Sequence, residues 1–596
     1  MVKIMTFQLK KLGTITAVSL LTICSCFNAY AAPGTLETTP LFVSTAVEPN
    51  VFFTLDDSGS MDWEAMIPDT GDFSYNNGVT QYNGYWQAYL HPGWSSYQYS
   101  PYSDYDKYDR NIIPPAAYSN SSSSTLIKSF WVMQNHNYNT TYYNPSTTYT
   151  PWAGIDSDTG QPYQDAIPTA VLRDPTRKTY DKTDLTANFD FYDNIVTKSK
   201  HSNIAYLPSY YTWTDDNNNG ELEVSETHSL IEIREGNTFP SGRTYEKELQ
   251  NFANWFQYYR KREFSTKASV GRAINKSDTT RMGLRLINGG HKKDLKTMTS
   301  STNKQELLNT FYEINSNSGT PLRRALENTG KMYLDPNSNA ILPESGGGAC
   351  QQNFTLLMTD GFWNGNDPDV GHADRSTDNV GFDGDETESN DGGNYEDDNS
   401  NTLADVAMYY YENDLSNLEN KVPTTPGTDL ADHQHMVTYT VSFGVTGTID
   451  PDNFDPLATE FSWPPPNNDP RKVDDLLHAA YNGRGLYLSA QDPVQLEKAL
   501  TEAIANIAER TATAAAASVT SAKLTTDTIV YLAEFNTNRW QGTIYAYKIA
   551  NFNTGELEAT PTWSAAQVLN ARDITADPRR SEERRVGKEC RIGCRC

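Results

Sequence analysis

Asn50-Val51-Phe52-Phe53-Thr54-Leu55-Asp56-Asp57-Ser58-Gly59-Ser60 is the stretch on which the reading of this chain turns. A short, nearly continuous apolar run bounded by turn residues reads as a strand buried on both faces. Its abrupt change to Asp-x-Ser-x-Ser places a polar loop at the strand's carboxyl end. Two later segments have matching character. Gly319-Thr320-Pro321 opens a helical pattern, and Thr359-Asp360-Gly361 closes a second apolar run, Phe354 to Met358. Open α/β sheets bind ligands outside the carboxyl ends of their strands, so the three loops are expected to converge. The candidate metal ligands are Asp56, Ser58, Ser60, Thr320 and Asp360. Such hard oxygen donors suit Mg²⁺, Mn²⁺ or Ca²⁺ and suit Zn²⁺ badly. Neutral hydroxyls on the ion leave it under-neutralised and able to accept an acidic side chain from a partner.

Outward from these loops, strand and helix patterns alternate. Helical spacing is predicted around Leu249 to Phe256 and over Leu307–Ile314, Pro321–Tyr333, Thr402–Leu415, Val473–Tyr481 and Val494–Ile507. Strands are predicted at Met282–Ile287, Phe354–Met358, His435–Val445 and Gly485–Leu488. This alternation implies a parallel sheet covered on both sides, a doubly wound α/β fold, here assigned to residues 32–510. Between 63 and 244 periodicity nearly vanishes, and residues 71–150 hold 14 of the 36 Tyr. So many aromatics favour a folded, loop-rich insertion over disorder. An Ala/Thr linker is expected at 511–523. Beyond it Ile529–Phe535 and Gly542–Ile549 read as paired strands within a second domain, 524–579, that is only begun.

The two ends qualify the composition. Lys3, Lys10 and Lys11, an apolar stretch from Leu12 to Ile23, and Ala29 and Ala31 form a secretory signal over 1–31, too short to span a bilayer. No transmembrane anchor is expected after cleavage. Residues 580–596 are basic and Cys-rich, resemble a translated sequencing adapter, and are set aside, so the natural chain is expected to continue past Arg579. All 596 residues carry a net charge of −27; the 548 between the two ends hold 39 basic and 72 acidic groups, a net charge of −33. Such acidity argues against a nucleic-acid partner. Only Cys350 survives the trimming, read either as a buried small hydrophobe or as the partner of a cysteine further on.

Secondary signals are weaker. Asp215, Asn217, Asn219, Glu221 and Glu226, with Gly220, have the spacing of an EF-hand Ca²⁺ loop. Strand-like flanks leave a structural Ca²⁺ site and an Asn-Gly hairpin turn equally open. Residues 364–400 contain 12 acids and one base, Arg375, read as a solvated loop or a loose Ca²⁺ binder. His433 and His435 read as ordinary core or surface histidines. No Walker loop, Gly-x-Ser-x-Gly elbow or His-Glu-x-x-His motif occurs, so no enzyme is expected.

The three loops resemble a von Willebrand factor A domain with its metal-ion-dependent adhesion site. Pro40-Leu41-Phe42, Asn251-Phe252-Ala253-Asn254-Trp255, Asn401 to Ala407, His435 to Tyr439, Asp474 to Ala480, and Trp540-x-Gly542 with the Trp563 to Arg572 segment together resemble the PilY/PilC family of type IV pilus biogenesis and tip-adhesin proteins. The resemblance runs from about Pro40 to Arg579. It implies an exported protein of the periplasm and then the outer surface or pilus tip of a Gram-negative-type bacterium. Pilus subunits or minor pilins, and a host or abiotic surface, would be its partners. It also implies that 524–579 begin a C-terminal β-propeller, whose Ca²⁺ loop is not present here. Two other roles remain: a structural subunit of the minor-pilin complex with a purely structural metal, and an A-type subunit of a metal-chelatase machine, which the export signal disfavours.

Overall fold

The computed structural model describes residues 47–67, 130–178, 182–193, 199–205, 208–223, 225–375, 393–425, 428–455 and 461–512, with short stretches between 518 and 568. The expected signal (1–31), most of the linker and the 580–596 tail lie outside the described residues. The main sheet has six strands: β1 (Asn50–Leu55), β2 (Arg281–Leu286), β3 (Gly290–Thr297), β4 (Asn353–Thr359), β5 (Met436–Phe443) and β6 (Arg484–Ala490). Their order is β3-β2-β1-β4-β5-β6. Every neighbouring pair is parallel except β2 with β3.

Among the described residues seven helices flank this sheet: α1 (Tyr245–Tyr258), α2 (Arg262–Lys276), α3 (Ser301–Tyr312), α4 (Leu322–Leu334), α5 (Leu403–Glu412), α6 (Asp469–Asn482) and α7 (Pro493–Ala512). Alternate residues of a strand point to opposite faces, and the two faces enter separate cores. Val51, Phe53 and Leu55 pack in the cluster that holds Phe252, Val270, Phe311 and Leu500, from α1, α2, α3 and α7. Phe52 and Leu357 pack in the cluster that holds Leu326, Val406 and Leu476, from α4, α5 and α6. Helices therefore cover both faces, as the alternation of patterns predicted.

Local signals fix the helix ends. Thr402 and Asp405 form a reciprocal capping box on α5, and the Asn468 side chain accepts from Arg471 N at the start of α6, where Pro470 sits in the first turn. Helix α4 approaches α5 closely. A Cβ on Gly330 would lie 2.3 Å from Tyr410 Cγ, so only glycine fits there.

The described part of the insertion is built onto α1. Trp131, Tyr138, Tyr142, Tyr143, Tyr149 and Trp152 are buried in the same core cluster as α1 and α2. Four polar residues one turn apart on α1 hold it. Glu248 Oε1 accepts the Tyr143 hydroxyl at 2.9 Å. Asn251 accepts from Tyr149 N at 2.9 Å and donates to Thr147 O at 2.9 Å. Asn254 accepts from Ala166 N and donates to Tyr149 O, and Gln257 accepts from Leu172 N. Three of the four read main-chain atoms, satisfying backbone groups that a buried loop would otherwise leave orphaned.

Several expectations need correction. Helix α2 and strand β3 were not foreseen. The helix expected to reach Leu415 ends at Glu412. Cys350 is exposed rather than buried. The acidic 364–400 stretch is not uniformly solvated, because Asp374 and Asp397 are buried; residues 376–392 lie outside the description. The paired strands expected beyond the linker do form, Ile529–Asn536 antiparallel to Gln541–Asn551, a hairpin and not by itself a propeller. Among the described residues no helix is long and apolar enough to cross a membrane.

Candidate metal-dependent adhesion site

Strands β1 and β4 lie side by side in register, Leu55 against Met358, so the loops at their carboxyl ends are neighbours. The strand order runs outward in opposite directions from this pair, which makes it the topological switch point of the sheet. Asp56 continues β1. Its Oδ1 accepts the Ser58 amide at 2.7 Å and its Oδ2 accepts the Thr359 hydroxyl at 2.5 Å. The Ser58 and Ser60 hydroxyls are 3.0 Å apart. Ser60 Oγ then donates to Asp360 Oδ1 at 2.8 Å. Asp56, Ser58, Ser60 and Asp360 thus form one connected group. Thr320 is attached through the main chain: Gly59 N donates to Ser318 O at 3.0 Å, and Thr320 N donates to Asn364 Oδ1 at 3.0 Å.

The electrostatics of this group are strained towards negative charge. Burial, and behind it the neighbouring Asp360 carboxylate, push Asp56 up to about 7, against the pull of hydrogen bonds from Ser58 and Thr359. The donor set of two hydroxyls and two buried carboxylates fits a hard divalent cation, which would relieve that repulsion.

Sequence reasoning missed Arg262. Its Nη1 donates to Asp360 Oδ2 at 2.8 Å, in a pair with both side chains buried. Nε and Nη2 donate to Ala65 O at 3.0 and 2.7 Å. The cue was Arg260-Lys261-Arg262-Glu263, four consecutive charges at the junction of α1 and α2.

Comparison with known proteins agrees with this reading at the level of family. No family model matches the chain. It is 27% identical, over 94% of its length, to the type IV pilus biogenesis factor PilY1 of Pseudomonas aeruginosa strain UCBPP-PA14. It is 25% identical, over 95%, to the protein of that name in strain PAK. These two relatives support the PilY/PilC assignment that the sequence motifs suggest. The chain spans 47% and 48% of those two relatives, about half their length. Among solved structures, the pilus adhesin SpaC of Lactobacillus rhamnosus GG overlaps 42% of this chain and 28% of its own at a TM-score of 0.22 and 10% identity. The von Willebrand factor domain of the type V pilus tip protein Mfa5 of Porphyromonas gingivalis overlaps 41% of this chain and 88% of its own at 0.20 and 13%. With overlaps this slight, the fold assignment stands on the sheet topology.

The second candidate loop joins strands Ser209–Thr214 and Thr227–Glu232, a hairpin rather than paired helices. Asp215 accepts from Asn219 N and Gly220 N, Asn217 from Asn219 N, and Asn219 from Glu221 N. Glu226 is buried and accepts from Asp216 N and Glu223 N. Glu221 is exposed. His433 and His435 are both buried, and His435 Nε2 lies 3.2 Å from Asp429 Oδ2.

Proposed function

We propose that this chain is the N-terminal, von Willebrand factor A-type part of an exported protein acting in type IV pilus biogenesis and adhesion. It binds a partner through a divalent cation held by Asp56, Ser58, Ser60, Thr320 and Asp360. The observation that carries the proposal is the hydrogen-bonded convergence of Asp56, Ser58, Ser60 and Asp360 at the switch point between β1 and β4. Similarity to the type IV pilus biogenesis factor PilY1 supports the pilus context. Mg²⁺, Mn²⁺ or Ca²⁺ bound there supplies a Lewis-acidic position for a partner's carboxylate. The protein's part is to present hydroxyls and hold the carboxylates apart. Pilus subunits or minor pilins and a surface ligand are the proposed partners, and Ca²⁺ in the 215–226 loop is a further, structural component.

The test is the Asp56→Ala protein. It should lose the thermal shift given by Mg²⁺, Mn²⁺ or Ca²⁺ and lose divalent-dependent adhesion and piliation together. Unchanged adhesion and piliation in that variant would refute the metal role. The Ser60–Asp360 and Arg262–Asp360 bonds favour one alternative, a purely structural ion tying loops together. That reading predicts the thermal shift without any divalent-dependent partner.

A further inference from the structure

Five titratable side chains meet away from the adhesion-site loops. His372 and Asp374 come from the loop after β4, Asp397 from the returning loop, Asp405 from the first turn of α5, and His478 from α6. One ligand atom from each of His372, Asp374 and Asp405 lies within 4.8 Å of the others, and the same holds for Asp374, Asp397 and His478. The closest recorded approaches are 3.2 Å for His372 Nδ1 to Asp374 Oδ1, 3.9 Å for His372 Nδ1 to Asp405 Oδ1, 3.8 Å for His478 Nε2 to Asp374 Oδ2, and 3.6 Å for His478 Nδ1 to Asp397 Oδ2. Donors about 2.1 Å from a shared ion stand roughly 3.0 to 4.2 Å from one another, the range in which the His372–Asp374, His372–Asp405 and His478 Nδ1–Asp397 approaches fall.

Two carboxylates are anchored by one oxygen. Asp405 Oδ2 accepts the amide and hydroxyl of Thr402 at 2.8 and 2.9 Å, leaving Oδ1 towards the cluster. Asp397 Oδ1 accepts from Asn399 N and Nδ2, leaving Oδ2 towards His478. Asp374 is wholly buried, and its Oδ2 has no hydrogen-bond partner among the described residues. A buried carboxylate oxygen without a partner is costly, and this one is aimed at His478. His478 Nε2 lies 2.6 Å from Tyr395 O, the second bond that orients metal-bound imidazoles, and the Trp463 ring stacks on it at 3.9 Å. With Nε2 turned to the Tyr395 carbonyl, Nδ1 is the ring nitrogen left for a ligand, and it faces the Asp397 carboxylate.

We propose that His372, Asp374, Asp397, Asp405 and His478 form a second metal centre, taking a divalent first-row transition cation such as Zn²⁺ or Mn²⁺. Mixed imidazole and carboxylate donors select these ions over Mg²⁺ and Ca²⁺, unlike the all-oxygen adhesion site. Half-buried His372 provides the route of entry. The centre ties α5, α6 and the returning acidic loop together, and it does not depend on the adhesion-site reading.

The experiment uses the full chain, stripped with chelator, in both wild-type and Asp56→Ala backgrounds, so that failure of the adhesion site cannot imitate failure of this one. Zn²⁺ and Mn²⁺ are titrated calorimetrically, and bound Co²⁺ is read by its visible absorption. Asp56→Ala alone should retain one equivalent with the Co²⁺ band. Adding Asp374→Asn should remove both, and adding His372→Ala should weaken binding by about 10-fold or more. A folded Asp56→Ala protein that takes up no transition ion overturns the proposal, as does an Asp374→Asn protein with unchanged affinity. Should Asp374→Asn fail to fold, unchanged affinity in His372→Ala overturns it equally.

Discussion

Arg262 donates to Oδ2 of Asp360 at 2.8 Å while Oδ1 of the same carboxylate accepts from Ser60 at 2.8 Å. One oxygen of Asp360 is thus paired with helix α2 and the other with the loop after β1. Because α2 lies directly behind the loops, the charge state of the site is set partly by an element whose importance the loop motifs do not announce.

Arg262→Ala leaves the Asp360 carboxylate buried with no cationic partner. Breaking one side of a buried pair costs about 3–5 kcal/mol, and two hydrogen bonds to Ala65 O are lost as well. The urea midpoint should fall accordingly with the slope unchanged, and a saturating divalent cation should recover part of the loss. A midpoint within experimental error of wild type would mean that Asp360 does not need this partner.

Asn251→Ala should loosen the insertion without unfolding the sheet. It removes the acceptor of the Tyr149 amide and the donor to Thr147 O, at about 1–3 kcal/mol for a buried group left unmade. Amide exchange should accelerate over residues 143–152, while β1 and β4 keep wild-type protection. Equal acceleration in those strands would show that the insertion and the sheet open as one unit.

Gly330→Ala tests the close approach of α4 and α5. Alanine favours a helix over glycine by about 1 kcal/mol, yet the added methyl would press on the Tyr410 ring at 2.3–2.5 Å. Overpacking of about 1–3 kcal/mol should win, and the melting temperature should drop. A rise would place the two helices further apart than described.

Acid should destabilise the protein partly through His433. Burial foremost, then the His435 charge, holds its imidazole below the ordinary histidine value, against the Tyr411 carbonyl and the Asp414 and Asp432 charges. With the folded pKa depressed, the unfolded chain takes up the proton first as pH falls through about 6.5. Stability is therefore full above that value and declines below it until the folded pKa is passed. Melting temperatures between pH 7 and 5 should fall more steeply for wild type than for His433→Gln, and parallel curves would exclude this histidine as a contributor.

What could be read from the sequence follows the physics of burial. β1, β4 and β5 are nearly continuous apolar runs because both faces of the sheet are covered, so they were legible. α2 was not, because Arg262, Glu263, Lys267 and Ser269 are buried on it by ion pairs and hydrogen bonds that only the folded chain supplies. β3, with His291, Lys292, Lys293 and Asp294, is an edge strand whose charges conceal its pairing with β2. Asp56, Ser58, Ser60 and Asp360 stood out because loop polarity follows abruptly on strand apolarity. Asp374 and Asp397 were lost in a run of similar acids, since composition does not tell a solvated carboxylate from a buried one.

The row of amides on α1 grips main-chain atoms of the insertion. A clamp on main-chain atoms is indifferent to which side chains those segments display outward. Whatever the loops show to the outside can therefore be exchanged wholesale while their seat stays the same, so one scaffold can carry many different faces.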